Sequence, residues 1–142
     1  MTTPRKINVL MVEDTKEHVV LMRRALERGK LEPQLFIAAD GQAALDFLHR
    51  QGVYADDPRP DLIFLDLSLP RISGLEVLKH IKNDAKLKDI PVVILTVSDE
   101  GKDIIRSYKG GAESYFTKSA LFLKNGTDPT AILDTVMTMV GV

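Results

Sequence analysis

A continuous apolar run that ends in an aspartate constrains the fold of this chain more than any other feature. Residues 60–70 read PDLIFLDLSLP, so four apolar residues at 62–65 lead directly to Asp66. Unbroken apolar runs of this length are typical of strands buried on both faces, as in parallel sheets. Pro70 has no amide hydrogen to give to a neighbouring strand, so the strand must end before it. Asp66 is therefore expected at the carboxyl end of a buried strand, where open α/β sheets bind ligands.

Strand patterns alternate with helix patterns along the rest of the chain. The predicted strands are 7–12, 34–38, 62–65, 92–95 and 114–117, and the predicted helices are 16–28, one opened by Asp40-Gly41, one capped by Ser73, 99–109 and 130–140. This alternation predicts an α/β fold, a doubly wound five-stranded parallel sheet between two helical layers, flavodoxin-like with strand order 2-1-3-4-5. The 142 residues fit one domain, and we expect a single domain, 1–142, with no second domain after it.

Composition excludes several classes of partner and location. The formal net charge is −1, which gives no reason to expect binding to nucleic acid or to an anionic membrane. The chain has no cysteine, no signal peptide and no apolar stretch of about 18 residues. These features lead us to expect a cytoplasmic protein.

Polar residues follow the predicted strands at their carboxyl ends. Glu13 and Asp14 follow the first strand, Asp66 the third, Thr96 ends the fourth and Lys118 follows the fifth. Three carboxylates at one edge would repel one another unless a cation lies among them. Oxygen ligands with retained waters suit Mg²⁺ better than Ca²⁺. An ammonium and a hydroxyl opposite the metal could hold the oxygens of a tetrahedral anion.

These motifs together resemble the receiver domain of two-component response regulators. The resemblance covers essentially the whole chain and is carried by four segments: Val12-Glu13-Asp14, Leu65 to Pro70 with Gly74 four residues on, Val92 to Thr96, and Tyr115 to Lys118. It implies a signalling protein rather than an enzyme with a separate substrate. Asp66 would accept a phosphoryl group from the phosphohistidine of a sensor histidine kinase.

The resemblance also implies a role for the residues around Asp66. Asp14, Asp66 and the backbone carbonyl of Ser68 would ligate Mg²⁺, while Glu13 would act mainly through water. Lys118 would pair with the phosphoryl group. Thr96 would swing toward that group, and Tyr115 would turn inward into the space vacated, because the added charge of about −1.5 to −2 biases the two states.

Within this family the chain is similar to stand-alone regulators of bacteriophytochrome-type histidine kinases. The similarity is carried by the extended 51–60 loop, by Ser98-Asp99-Glu100 with residues 103–108, and by Thr117-Lys118-Ser119. It implies such a kinase as partner and a homodimer through the face of the fourth helix, fifth strand and last helix. The C-terminal segment has more apolar residues than a single core-facing stripe of a helix needs. They are Ile132, Leu133, Val136, Met137, Met139 and Val140.

Two residues depart from the pattern of the family. Ser119 follows Lys118 where receiver domains usually carry a cis proline. Since a cis bond to a non-proline residue costs about 2.5–4 kcal/mol, we expect a trans bond, or a strained one, and a differently routed loop. Val97 is bulkier than the small residue common after the threonine. It should narrow access to the phosphoryl group and slow reaction with bulky donors.

Other interpretations of the same residues remain open. The chain could be an intermediate phosphorelay carrier or a phosphate sink, or a degenerate receiver used for dimerisation. An aspartate-nucleophile phosphatase would want a second acid two residues after Asp66, where Ser68 stands. His18, His49 and His80 are scattered along the helices without metal-ligand spacing, so we expect ordinary surface or boundary residues.

Overall fold

The computed structural model describes residues 5–29, 31–98, 100–123, 126–127 and 130–140. Its strands are β1 (Arg5–Val12), β2 (Leu31–Ala38), β3 (Leu62–Leu65), β4 (Val92–Thr96), β5 (Ser114–Thr117), β6 (Phe122–Leu123) and β7 (Gly126–Thr127). Its α-helices are α1 (Lys16–Glu27), α2 (Gly41–Leu48), α3 (Gly74–Lys82), α4 (Gly101–Lys109), α5 (Lys118–Leu121) and α6 (Thr130–Met139). A 3₁₀ turn, Gly52–Tyr54, lies within the predicted 51–60 loop.

The first five strands form one sheet with the order β2-β1-β3-β4-β5, and every pair in it is parallel. Strand order and strand direction both confirm the predicted doubly wound fold. Strands β3 and β4 are buried along their whole length, as expected of central strands covered by helices on both faces. The edge strand β2 contains Pro33, a residue that strands tolerate at an edge, where its missing amide hydrogen breaks no ladder.

Two apolar clusters cover the two faces of the sheet. One packs β-strand side chains against α2 and α3, with Phe47, Val77 and Ile81 among its buried members. The other packs the opposite face against α1 and α6, with Met22, Leu26 and Val136 buried. Each of these helices therefore contributes one apolar stripe, as the sequence periodicity predicts.

Two helix starts confirm the capping residues predicted from the sequence. The Asp40 carboxylate accepts a hydrogen bond from the Ala43 amide at 2.7 Å. The Ser73 hydroxyl accepts one from the Glu76 amide at 3.2 Å. Each side chain satisfies an amide that the helix itself leaves unpaired.

The observed elements differ from the predicted ones mainly at boundaries. Strand β2 begins at Leu31 rather than at residue 34, because its polar first half still pairs through the backbone with β1. Helix α4 begins at Gly101 rather than at residue 99, and Asp99 lies outside the described residues. The short helix α5 and the antiparallel β6–β7 pair were not predicted. The predicted Asn125-Gly126 turn and the Asp128-Pro129 helix start fall partly or wholly outside the described residues.

No helix in the described part of the chain is long and apolar enough to cross a membrane.

Candidate functional site at the carboxyl edge of the sheet

Strand pairing brings two of the predicted acids together. Strands β1 and β3 are neighbours, and Val12 lies opposite Leu65 in register. The residues that follow each strand are held by further backbone bonds: the Glu13 amide donates to the Ala38 carbonyl at 2.9 Å, and the Asp66 amide donates to the Val12 carbonyl at 3.2 Å. The Glu13 and Asp66 side chains are both buried. Two buried carboxylates therefore lie side by side at the carboxyl edge.

Lys118 joins these two acids. Its Nζ lies 2.9 Å from Asp66 Oδ2 and 2.7 Å from Glu13 Oε2. A third contact, 2.9 Å long, runs to Nδ1 of His18. Since an ammonium has three hydrogens and can only donate, all three are used, and Nδ1 of His18 must be the acceptor. Lys118 thus supplies the positive charge beside the two buried acids, and all three of its ammonium hydrogens are hydrogen-bonded.

The environment of Lys118 changes its proton affinity in two opposing ways. Burial disfavours the charged ammonium and lowers its pKa, whereas the hydrogen bonds and charges of Asp66 and Glu13 raise it. The acids prevail, so the pKa of Lys118 lies above its ordinary value. Lys118 is therefore a permanent cation at neutral pH.

Three carboxylates converge at this edge. One oxygen from each of Glu13, Asp14 and Asp66 lies within 4.8 Å of the others. Asp14 is exposed, whereas the other two are buried, so solvent reaches the cluster from the Asp14 side. The oxygen-only donor set and the open side fit a hard divalent ion that keeps several waters, such as Mg²⁺. A single lysine cannot balance three carboxylates, which also favours a bound cation.

The loop after β3 orients the Asp66 carboxylate. The Ser68 amide donates to Asp66 Oδ1 at 3.0 Å, and the Gly74 amide donates to the Leu67 carbonyl at 3.1 Å. A Cβ on Gly74 would collide with the Asp66 carbonyl oxygen and lie 2.6 Å from the Leu67 Cα. Only glycine allows α3 to begin this close to the end of β3.

The side-chain hydroxyls of Thr96 in β4 and Tyr115 in β5 differ in their hydrogen bonding. The Thr96 hydroxyl is fully buried and has no hydrogen-bond partner among the described residues. A buried hydroxyl without a partner is unusual and calls for an explanation. The Tyr115 hydroxyl instead donates to the Ser98 carbonyl at 2.6 Å, in the loop between β4 and α4. The Tyr115 ring is half-buried and packs against the core.

Comparison with known proteins decides the family. A family model described as the response regulator receiver domain matches residues 9–122. The chain belongs to the response regulator receiver domain family. The match includes all five strands of the parallel sheet from Val9 onward and every residue of the site described above.

Several relatives of this receiver domain are phytochrome response regulators. Response regulator Rcp1 of Synechocystis sp. is 45% identical over 118 residues, which are 83% of this chain and 80% of the relative. The Mn²⁺-bound crystal structure of Rcp1 superposes with a TM-score of 0.80 at 40% identity, covering 93% of this chain and 92% of that one. The phosphorylated cyanobacterial phytochrome response regulator RcpA superposes with a TM-score of 0.78 at 36% identity, covering 94% and 91%. The similarity to phytochrome-type regulators predicted from the sequence is confirmed.

The receiver domain brings together most of the residues predicted for its site. Glu13, Asp14, Asp66 and Lys118 form one cluster. Thr96 ends the adjacent strand β4, directly opposite Thr117 in the β4–β5 register. Ser68 is exposed and contributes its amide to Asp66.

His18 is a residue of the site that the sequence interpretation missed. It is partly exposed, as expected of a boundary residue, but its Nδ1 contacts Lys118 and lies 3.6 Å from Glu13 Oε1. The histidines are also not scattered: Nε2 of His49 and Nε2 of His80 are 2.8 Å apart. The prediction that the three histidines are surface or boundary residues is confirmed, whereas the prediction that they are scattered without metal-ligand spacing is wrong for His49 and His80. His18 lies in the first turn of α1, which starts at the carboxyl edge of the sheet. This position is the one sequence signal that could have indicated its contact with the site.

The two departures from the family pattern have different outcomes. The structure has no cis peptide bond among its described residues, so the predicted trans bond between Lys118 and Ser119 is confirmed. Lys118 is also the first residue of α5. Val97 is 66% exposed at the end of β4, and its effect on phosphodonors stays a prediction.

Proposed function

We propose that Asp66 is the phosphoacceptor of this receiver domain and that Glu13 and Asp14 complete a Mg²⁺ site with it. The observation that carries this proposal is the convergence of three carboxylates within 4.8 Å, with Lys118 2.9 Å from Asp66. Both oxygens of the buried Asp66 carboxylate are oriented, Oδ1 by the Ser68 amide and Oδ2 by Lys118.

The chemistry is transfer of a phosphoryl group from the phosphohistidine of a sensor kinase. An Asp66 oxygen forms a P–O bond while the P–N bond of the donor breaks. The electron pair of that bond returns to the donor imidazole, which takes a proton from water. Phosphoryl transfer depends on positioning and charge neutralisation more than on covalent catalysis. A Mg²⁺ ion held by Asp14, Asp66 and the Ser68 carbonyl, with Glu13 acting mainly through water, would neutralise charge on the phosphoryl oxygens.

Lys118 and Thr96 bind the phosphoryl group once it is on Asp66. The ammonium already contacts Asp66, and of its three contacts the one to the His18 ring does not involve a carboxylate, so it is the contact to exchange for a phosphoryl oxygen. The unpartnered Thr96 hydroxyl gains a hydrogen bond when it turns toward the same group. Tyr115 then leaves the Ser98 carbonyl and turns inward, which alters the loop between β4 and α4.

We propose a bacteriophytochrome-type sensor histidine kinase as the phosphodonor. Support comes from the phytochrome and bacteriophytochrome response regulators among the solved relatives, including AtBRR at 34% identity and a TM-score of 0.78. The receiver acts in the cytoplasm, and its output is a change in protein contacts.

The face formed by α4, β5 and α6 is the proposed homodimer surface. Ile105 and Tyr108 of α4 are 56% and 49% exposed, which leaves apolar area uncovered on this face. Of the apolar α6 residues, Val136 is buried, and Leu133, Met139 and Val140 pack on the chain's own core. Light scattering at high concentration, with and without beryllofluoride as phosphoryl mimic, tests the dimer. A monomeric mass in both conditions would contradict it.

Labelling by acetyl phosphate tests the phosphoacceptor. The wild-type chain, with Mg²⁺ present, should gain the mass of one phosphoryl group in intact-mass spectrometry, and chelation of the Mg²⁺ should abolish the gain. Asp66→Ala should show no gain. Asp89→Ala is the matched control, since Asp89 is exposed and lies just before β4 at the opposite edge of the sheet, and it should label like the wild type. Equal labelling of Asp66→Ala would refute the assignment.

A further inference from the structure

Two histidines and an aspartate converge at the edge of the molecule opposite Asp66. Helices α2 and α3 both start at the carboxyl edge, so their last turns lie at the amino edge. His49 is the first residue after α2 and His80 lies in the last turn of α3, about 9 Å along the axis from Gly74. Their Nε2 atoms are 2.8 Å apart. One ligand atom from each of His49, His80 and Asp84 lies within 4.8 Å of the others.

Nothing about folding requires these three groups to meet. Both histidines are exposed and Asp84 is half-buried, so water could satisfy each of them separately. The two histidines are separated by 31 residues in the sequence, and their helices pack in one apolar cluster. Burial of the side chains themselves does not account for their convergence.

The end of α2 fixes the direction of His49. Arg50 adopts a left-handed conformation, with φ 55°. The amide of Arg50 donates to the Phe47 carbonyl at 3.1 Å, and the amide of Gln51 donates to the Asp46 carbonyl at 2.9 Å. These two bonds are those of a Schellman motif, which closes a helix in one defined geometry. His49 is thus held at a rigid helix end.

Asp84 is oriented in a similar way. Its Oδ1 accepts the Lys86 amide at 2.7 Å, and a carboxylate keeps several further lone pairs for another ligand. His80 lies in the last turn of α3, and Asp84 lies just after the C-cap Asn83, where its amide donates to the Ile81 carbonyl at 3.3 Å. Glu76, one turn before His80, lines the same surface depression together with Lys79, so their opposite charges offset each other.

We propose that His49, His80 and Asp84 form a second metal site, for a borderline divalent ion such as Zn²⁺. Two imidazole nitrogens and one carboxylate oxygen suit Zn²⁺, Ni²⁺ or Cu²⁺, whereas the oxygen-only cluster at Asp66 suits Mg²⁺. Three protein ligands leave a fourth position for water or for a group from another molecule. The ion joins the end of α2 to the end of α3.

The observed geometry needs only small changes to hold this ion. Tetrahedral Zn²⁺ with bonds of about 2.0–2.2 Å places its ligand atoms about 3.3 Å apart. The two Nε2 atoms, now 2.8 Å apart, must separate by about half an ångström. In the observed pair one ring donates to the other through Nε2, so that ring must carry its hydrogen on Nδ1 when the ion binds.

Zn²⁺ titration of the untagged full chain in excess Mg²⁺ tests this site. The excess Mg²⁺ occupies the cluster at Asp66, and calorimetry reports the Zn²⁺ stoichiometry. Co²⁺, followed by its visible absorption, reports histidine ligation independently. The variants are His49→Gln, His80→Gln and Asp84→Asn, each checked for native circular dichroism. The matched control is His18→Gln, because the chain has three histidines and His18 alone lies at the other edge.

We expect one Zn²⁺ per chain, with a Kd below about 0.1 mM, and a rise of several degrees in the unfolding midpoint at saturation. Each histidine variant should weaken binding at least about tenfold, Asp84→Asn should weaken it by less, and His18→Gln should bind like the wild type. Failure to saturate below about 0.1 mM would overturn the proposal. So would loss of binding in His18→Gln with retention in His49→Gln and His80→Gln, since the ion would then be at the Asp66 edge. Failure of this test would leave acetyl phosphate labelling of Asp66 unaffected.

Discussion

Gly74 and Asp66 touch through their backbones, so that a side-chain carbon on Gly74 would collide with the Asp66 carbonyl oxygen. The contact lies where α3 starts beside the end of β3. It fixes the position of Asp66, and so of its carboxylate, relative to the start of α3. The geometry of the phosphoacceptor thus depends on a residue that carries no functional group.

Gly74→Ala should destabilise the protein and impair labelling of Asp66. The added methyl group meets backbone atoms, including the Leu67 Cα at 2.6 Å, which cannot move without shifting the loop. Overpacking of this kind costs about 1–3 kcal/mol. Urea unfolding measures the loss. Gly101→Ala is the control, because a Cβ there meets nothing within 4 Å, and its stability should stay equal or rise by up to about 1 kcal/mol. Equal midpoints for Gly74→Ala and wild type would contradict the contact.

Lys118→Met should destabilise the protein, because the carboxylates of the site then repel one another without a cation between them. Removing the ammonium leaves Glu13 and Asp66 buried without their shared partner, and breaking a buried ion pair costs about 3–5 kcal/mol. Mg²⁺ should recover more stability in the variant than in the wild type, because the ion then supplies the missing positive charge. Urea unfolding with and without Mg²⁺ measures both effects.

The control for this variant is Lys102→Met. Lys102 pairs with Glu100 at 3.2 Å, but both side chains are more than half exposed. Exposed pairs contribute little, so the change should stay within about 1 kcal/mol. Similar losses for the two lysine variants would show that the buried cluster is not held by Lys118.

Thr96→Val should stabilise the unphosphorylated protein and abolish its response to phosphorylation. Removing a buried hydroxyl that has no partner among the described residues relieves a desolvation cost of about 1 kcal/mol or more. The same hydroxyl is the proposed ligand of the phosphoryl group. Hydrogen exchange of the loop between β4 and α4, compared before and after acetyl phosphate treatment, measures the response.

Ser107→Ala separates the effect on stability from the effect on the response to phosphorylation. Ser107 in α4 is the other described residue with a buried, unpartnered hydroxyl. Its removal should also stabilise the protein but should leave the loop response intact. A normal response in Thr96→Val would exclude Thr96 as the switching residue.

The fold was predictable because its determinants are local and repeated. Strand β3 is short, wholly apolar and followed by Asp66, and β4 is apolar up to its last residue, Thr96. The Ser73 cap lies in the sequence beside the helix that it starts. Parallel strands then place the residues after them at a common edge. For that reason Glu13, Asp66 and Lys118 could be assigned to one cluster before any distance was known.

The side-chain partners of the histidines could not be predicted in this way. The contact between His18 and Lys118 joins residues 100 positions apart, and that between His49 and His80 joins residues 31 apart. Such contacts depend on side-chain rotamers and on where each helix ends relative to its neighbour. The spacing of apolar residues in the sequence predicts neither. The β6–β7 pair escaped prediction for another reason: each strand has two residues, too few to show alternation.

Val97→Ala should accelerate phosphorylation by bulky donors and leave small donors unaffected. Val97 follows Thr96 directly and is 66% exposed, and we expect its methyl groups to narrow access to Asp66. Removing them should raise the rate with acetyl phosphate by about two- to tenfold, a barrier change of up to about 1.4 kcal/mol. The rate with the smaller phosphoramidate should change less than twofold or so. Val53→Ala is the control, because Val53 is 89% exposed in the 3₁₀ turn after α2, remote from Asp66. If Val97→Ala and Val53→Ala react alike with both donors, Val97 does not restrict the site.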